Sequence, residues 1–309
     1  MLTDHPKIDR LSGLLQRFVL RAQTLHTGPL RALASYGHQG QGGCLHLLRR
    51  GTVVLRHGEH GALQPITEPS LLYFPRTQPH WLEPQGPVPA ELISVAVDLG
   101  SCDDNPLLRA LPAVLLHPLA QLPQLAPALD LMSAESAAAR CGHGAVLDRV
   151  AEALVIQLLR FAIEQRLVDS GLLRGLSDPR LVRVLAAVHA APDQPWTLPR
   201  MASLAHMSRA RFAEHFARVM GEPPGDYLTG WRMGLARTLL AQGMPLKKVA
   251  SEVGYASGSA FTRAFSRRTG CSPTQWMHHR AARSTEASTA NPALAPFSLY
   301  SSLVPEHSA

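Results

Sequence analysis

The 309-residue sequence predicts an α+β chain: an N-terminal β-barrel with flanking helices, followed by an all-α domain. Three observations carry this prediction. Between residues 25 and about 97, short apolar runs alternate with glycine- and proline-bearing turns, the pattern of a small antiparallel barrel or sandwich. From Asn105 onward the apolar residues fall at helical spacing. Within that helical part, one two-helix pattern occurs twice in succession between Leu198 and Met277.

The elements follow in order. Residues 8–21 read as a helix, with Leu11, Leu14, Leu15, Phe18 and Val19 on one face. The strand-like runs are residues 44–48, 52–55, 71–74 and 92–97, separated by turn signals at Gly40-Gln41-Gly42-Gly43, His57-Gly58 and Pro84-Gln85-Gly86-Pro87. Residues 106–116 are proline-interrupted, and residues 125–139 read as helix. Residues 144–165 form the most regular segment outside the repeat, with Leu147, Ala151, Leu154, Leu158 and Phe161 in line. Val150, Val155 and Leu159 widen that face, so the helix is expected to cover the barrel and to carry a homodimer contact; packing wholly within one chain is the alternative. Residues 169–177, with Gly171 and Gly175, are the expected linker. Asp178-Pro179 then opens a helix through Leu181, Val184, Leu185 and Val188. Residues 282–309 lack periodic apolar spacing and are expected to be a disordered tail.

The repeat pairs Leu198 with Leu246, Met201 with Val249, Ala202 with Ala250 and Ser203 with Ser251, at an offset of 48. It then pairs Ser208 with Ser257, Phe212 with Phe261, Phe216 with Phe265, Gly221 with Gly270, Pro224 with Pro273 and Tyr227 with Trp276, at an offset of 49. One residue is therefore inserted in the second turn. Each copy reads as a short apolar helix, with Leu198 on its apolar face in the first, then a turn and a second helix. Ser208 and Ser257 are placed to cap the second helices, the phenylalanines mark buried stripes, and Gly221 and Gly270 stop them. Residues 224–241 form one longer helix between the copies, through Tyr227, Leu228, Trp231, Leu235, Leu239 and Leu240. A helix pair with a polar outer face on its second member is a helix-turn-helix, which fits a DNA major groove. The helix between them would hold two recognition helices in successive grooves, about 34 Å apart.

The runs Pro195-Trp196-Thr197-Leu198, Met207-Ser208-Arg209, Gly221-Glu222-Pro223-Pro224 and Trp231-Arg232-Met233 resemble the DNA-binding domain of the AraC/XylS family of transcription regulators. Val253-Gly254-Tyr255, Ala260-Phe261-Thr262-Arg263-Ala264-Phe265 and Ser272-Pro273 resemble that family's C-terminal signature. Ala256 and Gly258 depart from it, standing where the family often carries acidic or amide residues, which implies a second helix that reads fewer bases. Residues 45–51 and 75–80 are similar to the cupin-like sensor domain found ahead of some such DNA-binding domains. The resemblance implies a sensor and dimerisation domain over residues 1–168, with a barrel at about 25–100 and helices at about 105–166. It implies a DNA-binding domain over residues 178–281. It also implies a small effector in the barrel and leaves RNA polymerase open as a partner.

Charge agrees with this division. Residues 178–280 hold 14 Lys and Arg against 6 Asp and Glu, a net of +8, while the remainder nets −1. That is the footprint of a nucleic-acid-binding module joined to an ordinary globular one. The buried phenylalanines fix the outward face. Ser208, Arg209, Ala210, Arg211, Ala213 and Glu214 are the expected DNA contacts of the first recognition helix, and Ser257, Ser259, Ala260, Thr262 and Arg263 those of the second. Arg263 is the candidate for a bidentate contact to guanine. Arg209, Arg211, Lys247 and Lys248 are candidates for phosphate. Glu214 would either accept from cytosine or pair with Arg218.

Other classes find little support. Cys44, Cys102, Cys141 and Cys271 are scattered, as in reduced cytoplasmic proteins. No signal peptide is recognisable, and the longest uncharged run, residues 110–129, contains four prolines, which argues against a membrane helix. No GxSxG, HExxH, phosphate-binding glycine loop or paired cysteine set is present, which disfavours a cupin-type metal-dependent enzyme with a helical adaptor. His38, His46, His57, His60 and His80 lie in the barrel region, but the His-x-His with a following glutamate usual in metal-binding cupins is absent. No catalytic residue, metal or cofactor is therefore expected; the alternative is a metal site with His46 and His80 as its members. His46 and His80, each in a strand-like run, are assigned to the effector pocket.

Overall fold

The computed structural model describes residues 9–15, 20–37, 42–58, 61–99, 105–165 and 170–280. His38, His60, Cys102, Phe18, Val19 and the tail at 282–309 lie outside them. A short helix α1 (Ser12–Leu15) starts the chain; Asp9 caps it, its carboxylate accepting from the N–H groups of Leu11 and Ser12 at 3.1 and 3.0 Å. The strands are β1 (Arg21–Leu30), β2 (Ala34–Tyr36), β3 (Gly43–Arg50), β4 (Thr52–His57), β5 (Ala62–Ile66), β6 (Ser70–Phe74), β7 (His80–Gln85) and β8 (Ala90–Asp98). After helix α2 (Pro106–Ala110), a ninth strand, β9 (Leu115–Pro118), follows. They form two antiparallel sheets, ordered β1-β8-β3-β6-β9 and β2-β7-β4-β5. The cupin-like domain is thus a sandwich of two sheets and not a closed barrel.

The four expected strand runs lie within β3, β4, β6 and β8. β3, β6 and β8 are nearly continuous apolar runs because they lie inside the five-stranded sheet, which is buried on both faces, while β4, in the second sheet, buries alternate residues Val53 and Leu55. Cys44, Leu48, Leu72, Phe74 and Leu92 point into the sandwich, and Leu45, Leu47, Leu71, Tyr73, Ile93 and Val95 point to the helical side. The remaining strands carry prolines or mixed polarity and give weak signals, among them Pro29 in β1, Pro65 in β5 and Pro84 in β7. Two expectations need correction at the ends of this domain. Arg21 begins β1 and does not end a helix, and residues 115–118 extend the first sheet where helix was expected.

Helices α3 (Ala126–Ala138) and α4 (His143–Glu164) cover the first sheet. α4 buries Leu147, Ala151, Leu154, Val155, Leu158, Leu159, Ala162 and Ile163, so its wide apolar face is already used within the chain. Its carboxylates also satisfy the outer edge of β1: Thr24 N–H donates to Asp148 at 2.7 Å and Ala22 N–H to Glu152 at 3.4 Å.

The segment expected to be an exposed linker contains helix α5 (Leu172–Ser177), with Leu172, Leu173, Gly175 and Leu176 buried. The physical reason is local: three leucines at this spacing make an apolar face, and glycine permits closer approach to a neighbouring helix. After α6 (Leu181–Ala190) come α7 (Leu198–Leu204), α8 (Arg209–Met220), α9 (Pro224–Ala241), α10 (Leu246–Glu252) and α11 (Gly258–Thr269). Leu198 is 38% exposed at the start of α7, so it does not join the buried face as expected. Two cores result. One runs from the N-terminal domain through α5 and α6 to Phe212, Phe216, Tyr227 and Trp231. The other holds Met233, Leu235, Leu240, Val249, Val253, Phe261 and Phe265.

Candidate nucleic-acid interface and sensor core

Each repeat folds as a helix-turn-helix. Ser208 and Ser257 take extended backbone and cap α8 and α11, accepting from Arg211 N–H at 3.4 Å and Ala260 N–H at 3.2 Å. Gly221 and Gly270, both left-handed, end these helices. The two turns solve the same problem with different residues. His206 and Gly254, paired by the repeat, have φ of 54° and 75°. At Gly254 a Cβ would lie 2.7 Å from the Asp193 carbonyl oxygen, so only glycine fits there.

The expected DNA contacts form two outward faces. On α8 and its cap, Ser208, Arg209, Ala210, Arg211 and Glu214 are exposed and Ala213 half-buried. On α11 and its cap, Ser257, Ser259 and Arg263 are exposed, with Ala260 and Thr262 half-buried; Lys247 and Lys248 are exposed at the start of α10. Glu214 and Arg218 form no ion pair among the described residues, and Arg218 reaches His215 Nδ1 at 2.8 Å. Arg232 ties the halves together. It donates to the carbonyls of Pro192 and Gln194 at 2.9 and 2.8 Å, and its guanidinium lies 5.8 Å from the Tyr255 ring centroid in the second turn.

Two cations not singled out from the sequence join the first face. Arg180 and Arg183, exposed at the start of α6, line a groove of about 370 Å³ together with His206 and Arg211. Their three-residue spacing on one helix face was the available signal. Nearby, His215 Nε2 bonds the Asp178 carboxylate at 2.9 Å. Burial raises the Asp178 pKa, but the N–H groups of Leu181 and Arg180 and the His215 ring outweigh it, leaving a net depression.

The N-terminal domain contacts this interface through α5. Gly171 N–H donates to the Val219 carbonyl near the end of α8 at 3.0 Å. A Cβ at Gly175 would lie 2.3 Å from Met220 Sδ. A side chain there would require the Met220 and Leu185 side chains to move.

Inside the sandwich, His46 on β3 and His80 at the start of β7 are fully buried, with their Nε2 atoms 2.7 Å apart. His46 Nδ1 bonds Ser94 at 2.9 Å, and Ser94 donates to Tyr36 at 3.2 Å. Burial, then the His80 charge, lower the His46 pKa well below its usual value, so the ring is neutral at pH 7. The structure adds a third residue to the expected pair. Cys44, two residues before His46 and so on the same strand face, brings its thiol within 4.8 Å of both rings.

A two-sheet sandwich joined to a pair of helix-turn-helix motifs defines a two-domain architecture, and comparison identifies it. Residues 201–279 match the family described as helix-turn-helix domain, and residues 9–164, half of the chain, match the cupin family. The chain belongs to the AraC-type helix-turn-helix family of transcription regulators, with an N-terminal cupin domain. It is 36% identical over 151 residues to an uncharacterized HTH-type transcriptional regulator of Haemophilus influenzae, covering 48% of this chain and 51% of that protein. It is 33% identical over 178 residues to the HTH-type transcriptional regulator AlkR of Acinetobacter baylyi, covering 56% of this chain and 58% of that one. The chain thus spans about half the length of the curated relatives it matches. Among solved structures, the DNA-binding domain of AdpA in complex with a target DNA is 29% identical, covering 36% of this chain and 99% of that chain, with a TM-score of 0.33.

Proposed function

We propose that the chain is a sequence-specific double-stranded DNA-binding transcription regulator, acting in the cytoplasm and without a catalytic role. The observation that carries this reading is the pair of capped recognition helices with outward polar faces on a domain of net charge +8. α8 and α11 enter the major groove. Arg263 reads a guanine, while Arg209, Arg211, Lys247, Lys248 and the newly placed Arg180 and Arg183 hold phosphates.

In the same reading a small effector acts at the His46–His80 core and biases how α5 holds α8. The effector must bind the two states with different affinity for this to switch anything. Homodimerisation uses the outer side of α4, where Val146 is 37% exposed, since the inner side is buried against the sheet. RNA polymerase is the downstream partner.

Salt dependence tests the DNA reading. With these six cations on phosphates, log K for duplex DNA falls against log salt with a slope of about −5. A slope near zero would contradict electrostatic docking and favour a protein partner.

A further inference from the structure

We propose that Cys44, His46 and His80 form a metal-binding site between the two sheets, suited to a borderline-soft divalent cation of the Zn²⁺ type. Nothing in the family match depends on it. It deepens the reading of His46 and His80 as the ligand site and rests on that placement, not on DNA binding.

The backbone supplies the convergence. Cys44 and His46 alternate on β3 and so share its inner face, while His80 enters from β7 of the opposite sheet. All three are fully buried, and their donor atoms lie within 4.8 Å of one another. Among the described residues no carboxylate joins the cluster, so the set is thiolate and imidazole, the ligands of zinc and its neighbours and not of Mg²⁺ or Ca²⁺.

The hydrogen bonds around the rings engage both Nδ1 atoms and set the two Nε2 atoms against each other. His80 Nδ1–H donates to the Gln78 carbonyl at 2.7 Å. His46 Nδ1 bonds Ser94 Oγ at 2.9 Å, and Ser94 in turn donates to Tyr36 at 3.2 Å. The Nε2 atoms share a 2.7 Å hydrogen bond, for which one ring supplies the proton. A cation between them would take the place of that proton, and outer-nitrogen bonds of this kind are how metal-binding histidines are held.

The surroundings fix the rings. Phe74 stacks on His80 with centroids 3.8 Å apart and planes 11° from parallel. Gly37, at φ +74°, leaves space for the Gln78 carbonyl, which a Cβ there would meet at 1.9 Å. Because the thiolate is the ligand form of cysteine, metal uptake at Cys44 displaces its proton. A tetrahedral ion at about 2.0–2.1 Å from each nitrogen needs them about 3.3 Å apart, a small separation of the rings. Three protein ligands leave a fourth position open.

The test uses the full chain stripped with chelator and titrated with Co²⁺ as an optical probe, then with Zn²⁺. The proposal expects one Co²⁺ per chain, four-coordinate d–d bands with a thiolate charge-transfer band, and displacement by Zn²⁺. Cys44→Ser should lose the charge-transfer band and weaken uptake by more than about 100-fold, beyond what loss of an outer-shell partner costs. Should Cys44→Ser not fold, a Cys102→Ser/Cys141→Ser/Cys271→Ser variant answers instead: the band must survive in it. No Co²⁺ uptake, loss of the band in that triple variant, or uptake unchanged in folded Cys44→Ser and His80→Gln would overturn the site. The last result would assign the metal to surface groups such as His278 and His279. DNA binding, measured separately, stands or falls on its own.

Discussion

Phe265→Ala is expected to unfold the second helix-turn-helix and leave the first intact. Phe265 is fully buried, with its ring centroid 5.6 Å from that of Phe261 and 6.2 Å from that of Trp276. Truncating a buried aromatic to alanine typically costs about 3–5 kcal/mol, through lost burial and the cavity left behind. That loss falls on the small core of Met233, Val249, Val253 and Phe261, which is separate from the core of the first motif. Amide exchange should therefore accelerate in α10 and α11 while α8 stays protected. Equal loss of protection in both motifs would show that the two cores unfold as one.

Trp231→Ala is expected to have the opposite reach. Trp231 sits on α9 only two residues before Met233, but it belongs to the large core. It is 1% exposed and lies against His189, ring centroids 4.0 Å apart. His189 in turn bonds the Tyr227 hydroxyl at 2.6 Å, which joins α6 to α9. The same core continues through Leu173 of α5 to the helices over the sheet. A loss of about 3–5 kcal/mol here should lower the main thermal transition, with the N-terminal domain and first motif melting together. A calorimetric trace in which the N-terminal transition stays unchanged would contradict the shared core.

The C-terminal half was legible because its signals are local. A capping serine, two phenylalanines four apart and a stopping glycine specify one helix without reference to anything distant, and the repeat states them twice. The outward faces followed from the same phenylalanines. The N-terminal half was legible mainly where both strand faces are buried, since a run such as Leu45-His46-Leu47-Leu48 is apolar almost throughout; β4, with one buried face, was legible from Val53-Val54-Leu55. β1, β5 and β7 tolerate proline or alternating polarity because each has a sheet edge or a solvent-facing side, and the partner of β1, β8, is far away in sequence. α5 was missed for a related reason. Gly171 and Gly175 read as flexibility, whereas Gly175 permits the approach of Met220. Cys44 escaped notice among scattered cysteines, although its alternation with His46 on one strand was visible. What the sequence could not supply was His80 arriving from the opposite sheet.

The claim that two recognition helices read two stretches of one duplex is tested most directly by selection from random duplexes, with sequencing, for the wild-type chain and Arg263→Ala. The account predicts an enriched site of two short blocks about one helical turn apart. Arg263→Ala should relax one base position in one block, a loss of about 1–3 kcal/mol of discrimination, and leave the other block unchanged. A single enriched block, or tight binding without sequence preference in either protein, would contradict it.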